Sequence, residues 1–331
     1  MKPMEWNPGS LMAVSGGHWQ TATLHAGVVL DVFTLLEDPG GSGAEIARQT
    51  GADVEAMTRL LDALTAMGLL EKKGDRYANT AFSGRFLSRH SPAYMGYIIQ
   101  HHQSLVDSFN RMPEAVRTGK PVRERPPDDV DRRRNFLMGM FNMAMGLAPV
   151  MVPQIDLDGR KHLLDLGGGP GTWAIHFCKA NPGLQASIFD LPTTRPFAED
   201  IIKRFDMTGR VSFLGGDVLR DRIPGQYDAA WLSHLLHGTG PEQCKRIIAK
   251  TAEGLAPDGM ILIHEFILDN DRTAPLFAAL FNLNMMLGTT GGRSYTDGEL
   301  REMLTAAGFT AIQRIPVQSP NDSGVLAATR E

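Results

Sequence analysis

The chain has 331 residues, of which 43% are hydrophobic and 21% charged, a composition typical of globular domains. This length exceeds that of one average domain and predicts two. The net charge of −4 gives no electrostatic reason to expect a nucleic-acid partner.

Two further features bear on location. No window approaches the roughly 20 uninterrupted apolar residues of a membrane span, and the N-terminus lacks the pattern of a secretory signal. Cys178 and Cys244 are the two cysteines, and both lie in segments predicted to be helical. A disulfide framework is therefore not expected, and the sequence favours a cytoplasmic protein without a membrane partner.

Residues 10–110 are predicted to be mostly helical, with one compact motif near residues 41–80. A short helix and a turn at Gly51 precede a run of apolar residues at helical spacing, and "LLEKKGDRYAN" follows as a hairpin. This order predicts a winged helix, whose usual function is DNA binding. The predicted recognition helix, however, carries Asp53, Glu55 and Asp62 against Arg59 alone, so we expect a structural or dimerising role.

The next segments divide the chain. Residues 117–134 are polar, mixed in charge and rich in proline, which predicts a solvated linker. The Met-rich stretch "NFLMGMFNMAMGLAPVMV" follows and is predicted to be helical. We predict an N-terminal domain at 1–115, a linker with cavity-lining helices at 116–157, and a second domain at 158–331.

From Lys161 onward, short apolar runs alternate with helical segments. The five strand candidates are "KHLLDLG", "QASIFDLP", "VSFLGGD", "YDAAWLS" and "MILIHEFIL". Most are apolar on both faces, as in a buried parallel sheet. The second domain is therefore predicted to be a doubly wound α/β domain, which binds ligands at the carboxyl ends of its strands.

The strand ends carry glycines and acids. "LLDLGGGPG" lets the backbone approach a ligand closely, but it matches neither the G-x-G-x-x-G nor the P-loop spacing. Asp165 suits an ammonium group, Asp190 can accept from both ribose hydroxyls, and Asp217 can accept from an adenine amine. These three groups in this order describe S-adenosylmethionine.

With these motifs the chain resembles the two-domain small-molecule O-methyltransferases of plants and bacteria, which carry a winged-helix dimerisation domain. The resemblance spans nearly the whole chain and includes "FNMAM", "DLGGGPG", "FDLP", "GGDVL", "LLHGTGPEQC", "DGMILIHEFIL" and "GGRSYT". It implies a class I, Rossmann-like methyltransferase fold and a homodimer formed through the N-terminal domain. It also implies a cofactor site in which Gly167, Gly168 and Gly169 approach the methionine moiety, Asp190 binds the ribose, and Asp217 and Val218 bind the adenine.

The resemblance separates two histidines that lie three residues apart. Relatives read "LHDWSDEHC" where this chain reads "LHGTGPEQC", so His237 matches the general base and His234 does not. A neutral imidazole can take the proton of an attacking hydroxyl. Glu265 matches the acid that orients this base.

Three departures from the family surround the base. Gly238 and Thr239 replace Asp-Trp, and Ser294 stands where the plant enzymes have a second acid. Ser233, on the cofactor side, replaces a lysine.

A metal site formed by His234, His237 and Glu265 is the alternative interpretation of the two histidines. Three-residue spacing brings side chains together on a helix, whereas "WLSHLLHG" is predicted to be a strand end. We therefore predict no metal, and a structural role for His234. His101 and His102 are predicted to lie on a helix surface or at an interface.

The sequence thus predicts an S-adenosylmethionine-dependent O-methyltransferase acting on a hydroxyl of an apolar, aromatic small molecule. The acceptor is expected between the domains, near Phe141, Met145, Met285, Met286 and Thr289. One alternative keeps the fold and cofactor but methylates carbon or nitrogen, or transfers no methyl group. Another is a winged-helix DNA-binding regulator.

Overall fold

The computed structural model describes residues 5–124 and 130–331, which form two compact units. The first unit contains residues 5–106 and 130–142, and the second contains residues 107–124 and 143–331. The units therefore interleave along the chain. The consecutive boundaries expected from the sequence, at residues 115 and 157, stay a prediction.

The secondary structure of the described residues is mixed. The α-helices are α1 (Pro8–Gly16), α2 (His18–Val29), α3 (Val32–Leu35), α4 (Gly43–Thr50), α5 (Val54–Ala66), α6 (Ala81–Phe86), α7 (Gly96–Gln103), α8 (Val106–Asn110), α9 (Met112–Thr118), α10 (Val130–Met151), α11 (Thr172–Ala180), α12 (Arg195–Arg204), α13 (Pro241–Gly254), α14 (Leu276–Gly288) and α15 (Asp297–Ala306). The strands are β1 (Gly41–Ser42), β2 (Leu70–Lys73), β3 (Arg76–Asn79), β4 (His162–Leu166), β5 (Gln185–Asp190), β6 (Val211–Gly215), β7 (Tyr227–Ser233), β8 (Leu255–Glu265), β9 (Phe309–Ile315) and β10 (Gly324–Arg330). Short 3-10 helices cover Val152–Gln154, Pro192–Thr194 and Leu236–Gly238.

The first unit contains the predicted winged helix. Helix α4 begins with a capping box, in which the Ser42 hydroxyl accepts from the Glu45 N–H while the Glu45 carboxylate accepts from the Ser42 N–H. Helix α5 buries Met57, Leu61 and Leu64 against α2 and α3. The wing is a three-stranded sheet in the order β1-β3-β2. Apolar residues on one face of α5 therefore hold the motif together, as their helical spacing predicts.

The second unit is built on a seven-stranded sheet in the order β6-β5-β4-β7-β8-β10-β9. The pairs from β6 to β8 are parallel, and β10 is antiparallel to both β8 and β9. After β6 the chain crosses to the other side of β4, which makes the β4–β7 boundary the topological switch point. The predicted doubly wound α/β class is confirmed.

The five predicted strands are present, and the two C-terminal strands were missed. In β9 most side chains are exposed, so this edge strand lacks the apolar run by which buried strands are recognised. The helices between the strands bury apolar faces against the sheet; α11, for example, buries Trp173, Ile175 and Phe177. The core of the second unit thus includes buried residues of β4 and β7 near the carboxyl ends of these strands.

The stretch at residues 117–134, predicted to be a solvated linker, is partly packed in the structure. Residues 125–129 of this stretch lie outside the described residues. The preceding segment is not simply solvated, because the N–H groups of Val122 and Arg123 both donate to the Leu287 carbonyl, at 3.0 and 2.9 Å. Val122 is buried with Ala115 and Leu287. Residues 122 and 123 are therefore packed on α14, within the second unit.

Helix α10 and its 3-10 extension, Val130–Gln154, are long and apolar enough to cross a membrane by length and composition alone. The core helices of soluble proteins pass the same test, and 44% of the most apolar window is buried inside the protein.

A glycine substitution tests how tightly the turn after β4 is packed. A Cβ on Gly171, whose φ is +81°, would lie 2.2 Å from Cδ1 of Ile188. We expect Gly171→Ala to lower the free energy of unfolding by about 1–2 kcal/mol for the left-handed backbone and by a further 1–3 kcal/mol or so for the clash. Chemical denaturation of the purified protein measures this loss.

Gly159→Ala is the matched control. Its φ is +70°, but nothing lies within 4 Å of the added Cβ, so only the backbone contribution is expected. Equal losses in the two variants would show that the contact with Ile188 is unimportant.

Candidate functional site

The glycine turn between β4 and α11 lies directly over a buried acid. Gly167 and Gly169 have φ values of +68° and +54°, which favour glycine. A Cβ on Gly168 would lie 2.5 Å from Cγ of Asp165, whereas a Cβ on Gly169 would meet nothing within 4 Å. The turn is therefore closed on the side of the acid and open at Gly169, where a ligand can approach the backbone.

Asp165 is fully buried at the end of β4. Its Oδ2 accepts from the Ala174 N–H at 3.1 Å, and its Oδ1 has no hydrogen-bond partner within the described residues. Burial raises the pKa of Asp165 to about 7, and the nearby Asp190 adds to the rise. A buried carboxyl group with a bare oxygen is suited to bind a cation such as an ammonium group.

Asp190 is the last residue of β5, and Asp217 lies just after the neighbouring strand β6, as predicted. Asp190 Oδ2 accepts from the Gly169 N–H at 2.8 Å, and Oδ1 accepts from the Leu191 N–H and the Thr194 hydroxyl. Asp217 follows β6 and accepts from the Leu219 N–H at 2.9 Å. Carboxylate oxygens have further lone pairs, so both groups can still accept from a ligand. This edge of the sheet thus fits a ligand that combines an ammonium group, a ribose and an adenine.

Val218 and Ser233 differ in their surroundings. Val218 is half-buried and packs against the core of the second unit. The Ser233 hydroxyl hydrogen-bonds Nδ1 of His264 at 2.8 Å, and the other His264 nitrogen meets the Ser323 hydroxyl at 2.7 Å. Burial holds the pKa of His264 well below its usual range. Ser233 is therefore engaged with a neutral core histidine, and its contact with the cofactor stays a prediction.

His237 and Glu265 are brought together by the ends of two neighbouring strands. Residues 236–238 form a 3-10 turn after β7, and Glu265 is the last residue of β8. His237 Nδ1 lies 2.8 Å from Glu265 Oε2. Glu265 Oε1 accepts from the N–H groups of Leu236 and His237, at 2.9 and 3.2 Å. The carboxylate thus orients both the backbone and the ring of His237.

Glu265 is ionised despite its burial. Burial alone would raise the pKa of this carboxyl group, but the neighbouring His237 and His234 outweigh that effect and hold the pKa well below its usual range. A carboxylate on Nδ1 leaves Nε2 of His237 as the lone-pair nitrogen. This is the tautomer that a general base requires.

His234 lies against the same carboxylate, which corrects one expectation from the sequence. A strand end was predicted to keep His234 and His237 apart, yet their ring centroids are 5.9 Å apart. The segment is not an extended strand here, because β7 ends at Ser233, His234 has a φ of +53°, and a 3-10 turn follows at residues 236–238. His234, His237 and Glu265 offer possible metal-ligand atoms within 4.8 Å of one another. The 2.8 Å separation between His237 and Glu265 suits a shared proton, and the absence of a metal stays a prediction.

Two phenylalanines that were not predicted from the sequence contact these histidines, and a third packs against both of them. The Phe281 ring contacts His237 edge-on at a centroid distance of 4.8 Å, and the Phe266 ring lies 4.3 Å from that of His234. Phe266 also packs against Phe277 and Phe281. Phe281 lies one helical turn before Met285, so helical periodicity was the signal that could have identified it.

The predicted substrate residues are only partly brought together. Met285 is buried on α14, and the Thr289 hydroxyl donates to its carbonyl oxygen at 2.8 Å. Met286 packs instead with the cluster of Ala115, Val122 and Leu287. Met145 is half-buried in the second unit, and Phe141 is buried and belongs to the first. His101 and His102 lie on α7 of the first unit, where the His101 ring packs against Phe136.

The loop after His237 is held by its neighbours despite its departure from the family. The Tyr295 hydroxyl donates to the Thr239 carbonyl at 2.6 Å and lies 3.2 Å from Cys244 Sγ. Ser294 is buried, and its hydroxyl donates to the Ala278 carbonyl at 3.1 Å. The residue in place of the second acid therefore hydrogen-bonds the α14 backbone.

Comparisons with known proteins identify the family. The model of the O-methyltransferase domain matches residues 109–310, which is more than half of the chain, and the model of the O-methyltransferase dimerisation domain matches residues 12–89. The chain is 32% identical to the 3-hydroxy-5-methyl-1-naphthoate 3-O-methyltransferase of Streptomyces sahachiroi, over 99% of this chain and 97% of that one. It is also 32% identical to the tetracenomycin polyketide synthesis 8-O-methyl transferase TcmO of Streptomyces glaucescens, over 95% of each.

A solved structure extends the likeness to the cofactor. Human N-acetylserotonin methyltransferase in complex with S-adenosylmethionine superposes with a TM-score of 0.86 at 25% identity, covering 100% of this chain and 99% of that one. The chain therefore belongs to the O-methyltransferase family, as an S-adenosylmethionine-dependent enzyme.

Proposed function

We propose that His237 is the general base of this O-methyltransferase and that Glu265 positions it. The observation that carries the proposal is the 2.8 Å contact between His237 Nδ1 and Glu265 Oε2, on a carboxylate whose other oxygen is held by two backbone N–H groups. A ring held in this way can present Nε2 to an acceptor in one orientation. The base then needs no rearrangement before it takes a proton.

The residues act on the acceptor as follows. S-adenosylmethionine, when bound, would supply a methyl group on a positively charged sulfur; transfer of this methyl group to the acceptor oxygen would break the S–CH3 bond and give the methyl ether and S-adenosylhomocysteine. His237 Nε2 accepts the hydroxyl proton of the acceptor, which makes the attacking oxygen a better nucleophile. Glu265 stabilises the imidazolium that forms, because the carboxylate is ionised and adjacent. His237 afterwards releases the proton to water.

The acceptor we propose is an aromatic hydroxyl compound. Phe281 contacts His237, and Met285 is buried one helical turn further along α14. Flat apolar rings pack well against such side chains, and phenolic hydroxyls need a base at neutral pH. The two Streptomyces relatives, which are named as a naphthoate and a polyketide methyltransferase, support the same class. We retain Met145, Met286, Thr289 and Phe141 as proposed substrate contacts.

The cofactor-binding residues are a proposal as well. The bare Oδ1 of Asp165 supports an ammonium contact, and the open space at Gly169 supports a close approach of the backbone. We assign Gly167 and Gly168 to the same turn. Asp190 is proposed to accept from the ribose hydroxyls.

The remaining proposed contacts lie on the adenine side. Asp217 and Val218 follow β6, next to the strand that ends in Asp190, and this placement supports contact with the adenine. Ser233, which replaces the family's lysine, is proposed to contact the cofactor on the same side.

The protein is proposed to be a cytoplasmic homodimer that pairs through its N-terminal helices. Several large apolar side chains at this end are exposed, namely Trp6, Leu11, Met12 and Trp19. A patch of this kind on a monomer is unusual and points to a covered surface. The dimerisation-domain match supports a second copy as the partner, and the two buried, unpaired cysteines support a reducing compartment.

Removing the base tests the reaction. We expect His237→Ala to reduce kcat/KM by about 10²–10⁴-fold, and Glu265→Gln to reduce it by roughly 10–100-fold because the ring is less well oriented. Methyl ethers formed from a panel of phenols, quinols and hydroxylated polyketides are quantified by mass spectrometry. Cofactor affinity is measured alongside by calorimetry.

His162→Ala is the control, since His162 is exposed at the start of β4. It should retain full turnover. A His237→Ala variant that binds the cofactor normally and also turns over normally would refute the assignment of the base.

The raised pKa of Asp165 predicts that binding of the cofactor releases a proton. At pH 6.5 the carboxyl group of the free protein is mostly protonated, and an ammonium partner favours its ionised form. At pH 8.5 it is already ionised, so the release should vanish. Calorimetry in buffers of different ionisation enthalpy measures the number of protons released.

Asp165→Asn should remove the release at pH 6.5, because an asparagine can still accept from the Ala174 N–H but does not titrate. Asp200→Asn, at an exposed position on α12, should leave it unchanged. Proton release that persists in Asp165→Asn would assign it to another group.

The solution mass tests the dimer. We expect light scattering to give twice the chain mass of 36.2 kDa at micromolar concentration. Substituting Met12→Asp together with Trp19→Asp should produce monomers, whereas Val116→Asp, at an equally exposed apolar position on α9, should not. A stable wild-type monomer would contradict this part of the proposal.

A further inference from the structure

His234 has a backbone and a setting that packing alone does not explain. Its φ of +53° is disfavoured for a residue with a Cβ, and such outliers tend to occur at functional sites. Its N–H donates to the His264 carbonyl at 2.8 Å. Its ring lies between those of His264 and Phe266, at centroid distances of 4.4 and 4.3 Å. The neighbouring strand and two rings therefore hold this side chain in one place.

The His234 ring lies beside the Glu265 carboxylate, which orients His237. His234 Nδ1 lies 3.6 Å from Oε2 of Glu265, the same oxygen that His237 Nδ1 approaches to 2.8 Å. Both nitrogens of His234 are buried, and neither has a hydrogen-bond partner in the described part of the chain. Oε2 lies 3.6 Å from Nδ1, too far for a hydrogen bond but close enough to attract an N–H dipole, so we assign the proton of the neutral ring to Nδ1.

The other groups around the pair are neutral. Burial lowers the pKa of His234, although Glu265 opposes this effect, and both nitrogens of His264 are engaged with serine hydroxyls. Burial raises the pKa of Cys244 and of Tyr295, so the thiol and the phenol keep their protons.

Arg293, whose positive charge acts on Cys244 and Tyr295, belongs to another ion pair. Arg293 stacks on the Tyr295 ring and pairs with Glu299. Among the described groups, Glu265 is thus the one carboxylate that both imidazoles share.

We propose that His234 is a positioning residue for methyl transfer: its Nδ1–H shares the Glu265 carboxylate with His237 and thereby limits how strongly that carboxylate stabilises protonated His237. The proposal rests on His237 acting as the base. The sharing also bears on Ser294, which stands where the plant enzymes have a second acid. Two acids around one histidine would favour its protonated form, whereas one acid shared by two histidines leaves the base free at lower pH.

The direction of the effect follows from the charges. Without the Nδ1–H of residue 234, the carboxylate acts on His237 alone and favours the imidazolium. A higher pH is then needed to free the base. The acid limb of the kcat/KM–pH profile should therefore move to higher pH, by on the order of one unit.

His234→Phe and His234→Asn separate this role from packing. Phenylalanine keeps a ring against Phe266 and removes the N–H, so its acid limb should move upward. Asparagine tolerates positive φ and places an amide N–H near the position of Nδ1, so its acid limb should stay within a few tenths of a unit of wild type. The profiles are recorded with the full-length protein at saturating S-adenosylmethionine, over pH 5 to 9, roughly.

The possible outcomes decide between the two proposals. An acid limb that stays in place in His234→Phe overturns the proposal, even if the melting temperature falls. If that variant does not fold, His234→Gly carries the same expectation, since glycine accepts the backbone angle. Because His237→Ala is measured in parallel, an unmoved limb in His234→Phe beside an inactive His237→Ala refutes this inference alone, whereas an active His237→Ala refutes the base assignment itself.

Discussion

The site depends on one buried charge, the Glu265 carboxylate. Burying a carboxylate is costly unless hydrogen bonds and neighbouring dipoles compensate for the lost water. Here Oε1 accepts from the N–H groups of Leu236 and His237, while Oε2 faces the His237 ring. The turn after β7 must therefore place its N–H groups against Glu265. The position of His237 follows, because its N–H and its ring are among the groups that replace water around this charge.

The sheet explains why two such different residues stand side by side at the end of β8. Side chains alternate across a strand, so His264 and Glu265 face opposite sides. His264 lies against Trp173 and Trp231 in the core, where a neutral ring with two serine partners is tolerated. Glu265 faces the 3-10 turn. Because β7 and β8 are parallel neighbours, both strands deliver their last side chains to the same edge.

Much of this could be predicted from local pattern. The strands β4 to β8, the glycine turn and the acids at the strand ends follow from apolar runs and from where those runs stop. What the sequence did not predict depends on contacts between distant segments. The left-handed backbone of His234 is held by the His264 carbonyl, thirty residues away, and the contact of Phe281 with His237 depends on where α14 packs. The exposed strand β9 has no apolar run to reveal it.

The Gly-Thr-Gly segment shows how a chain can depart from its relatives without moving its base. A Cβ on Gly292 would lie 2.6 Å from the His237 carbonyl oxygen, and the backbone of Gly240 packs on that of Gly291. The two loops thus meet backbone to backbone, and at Gly292 the approach leaves no room for a Cβ. With Tyr295 also donating to the Thr239 carbonyl, the loop does not need the Asp-Trp side chains to hold its place. Their loss therefore changes what lies around the base, while the Glu265 contact keeps the His237 ring where it is.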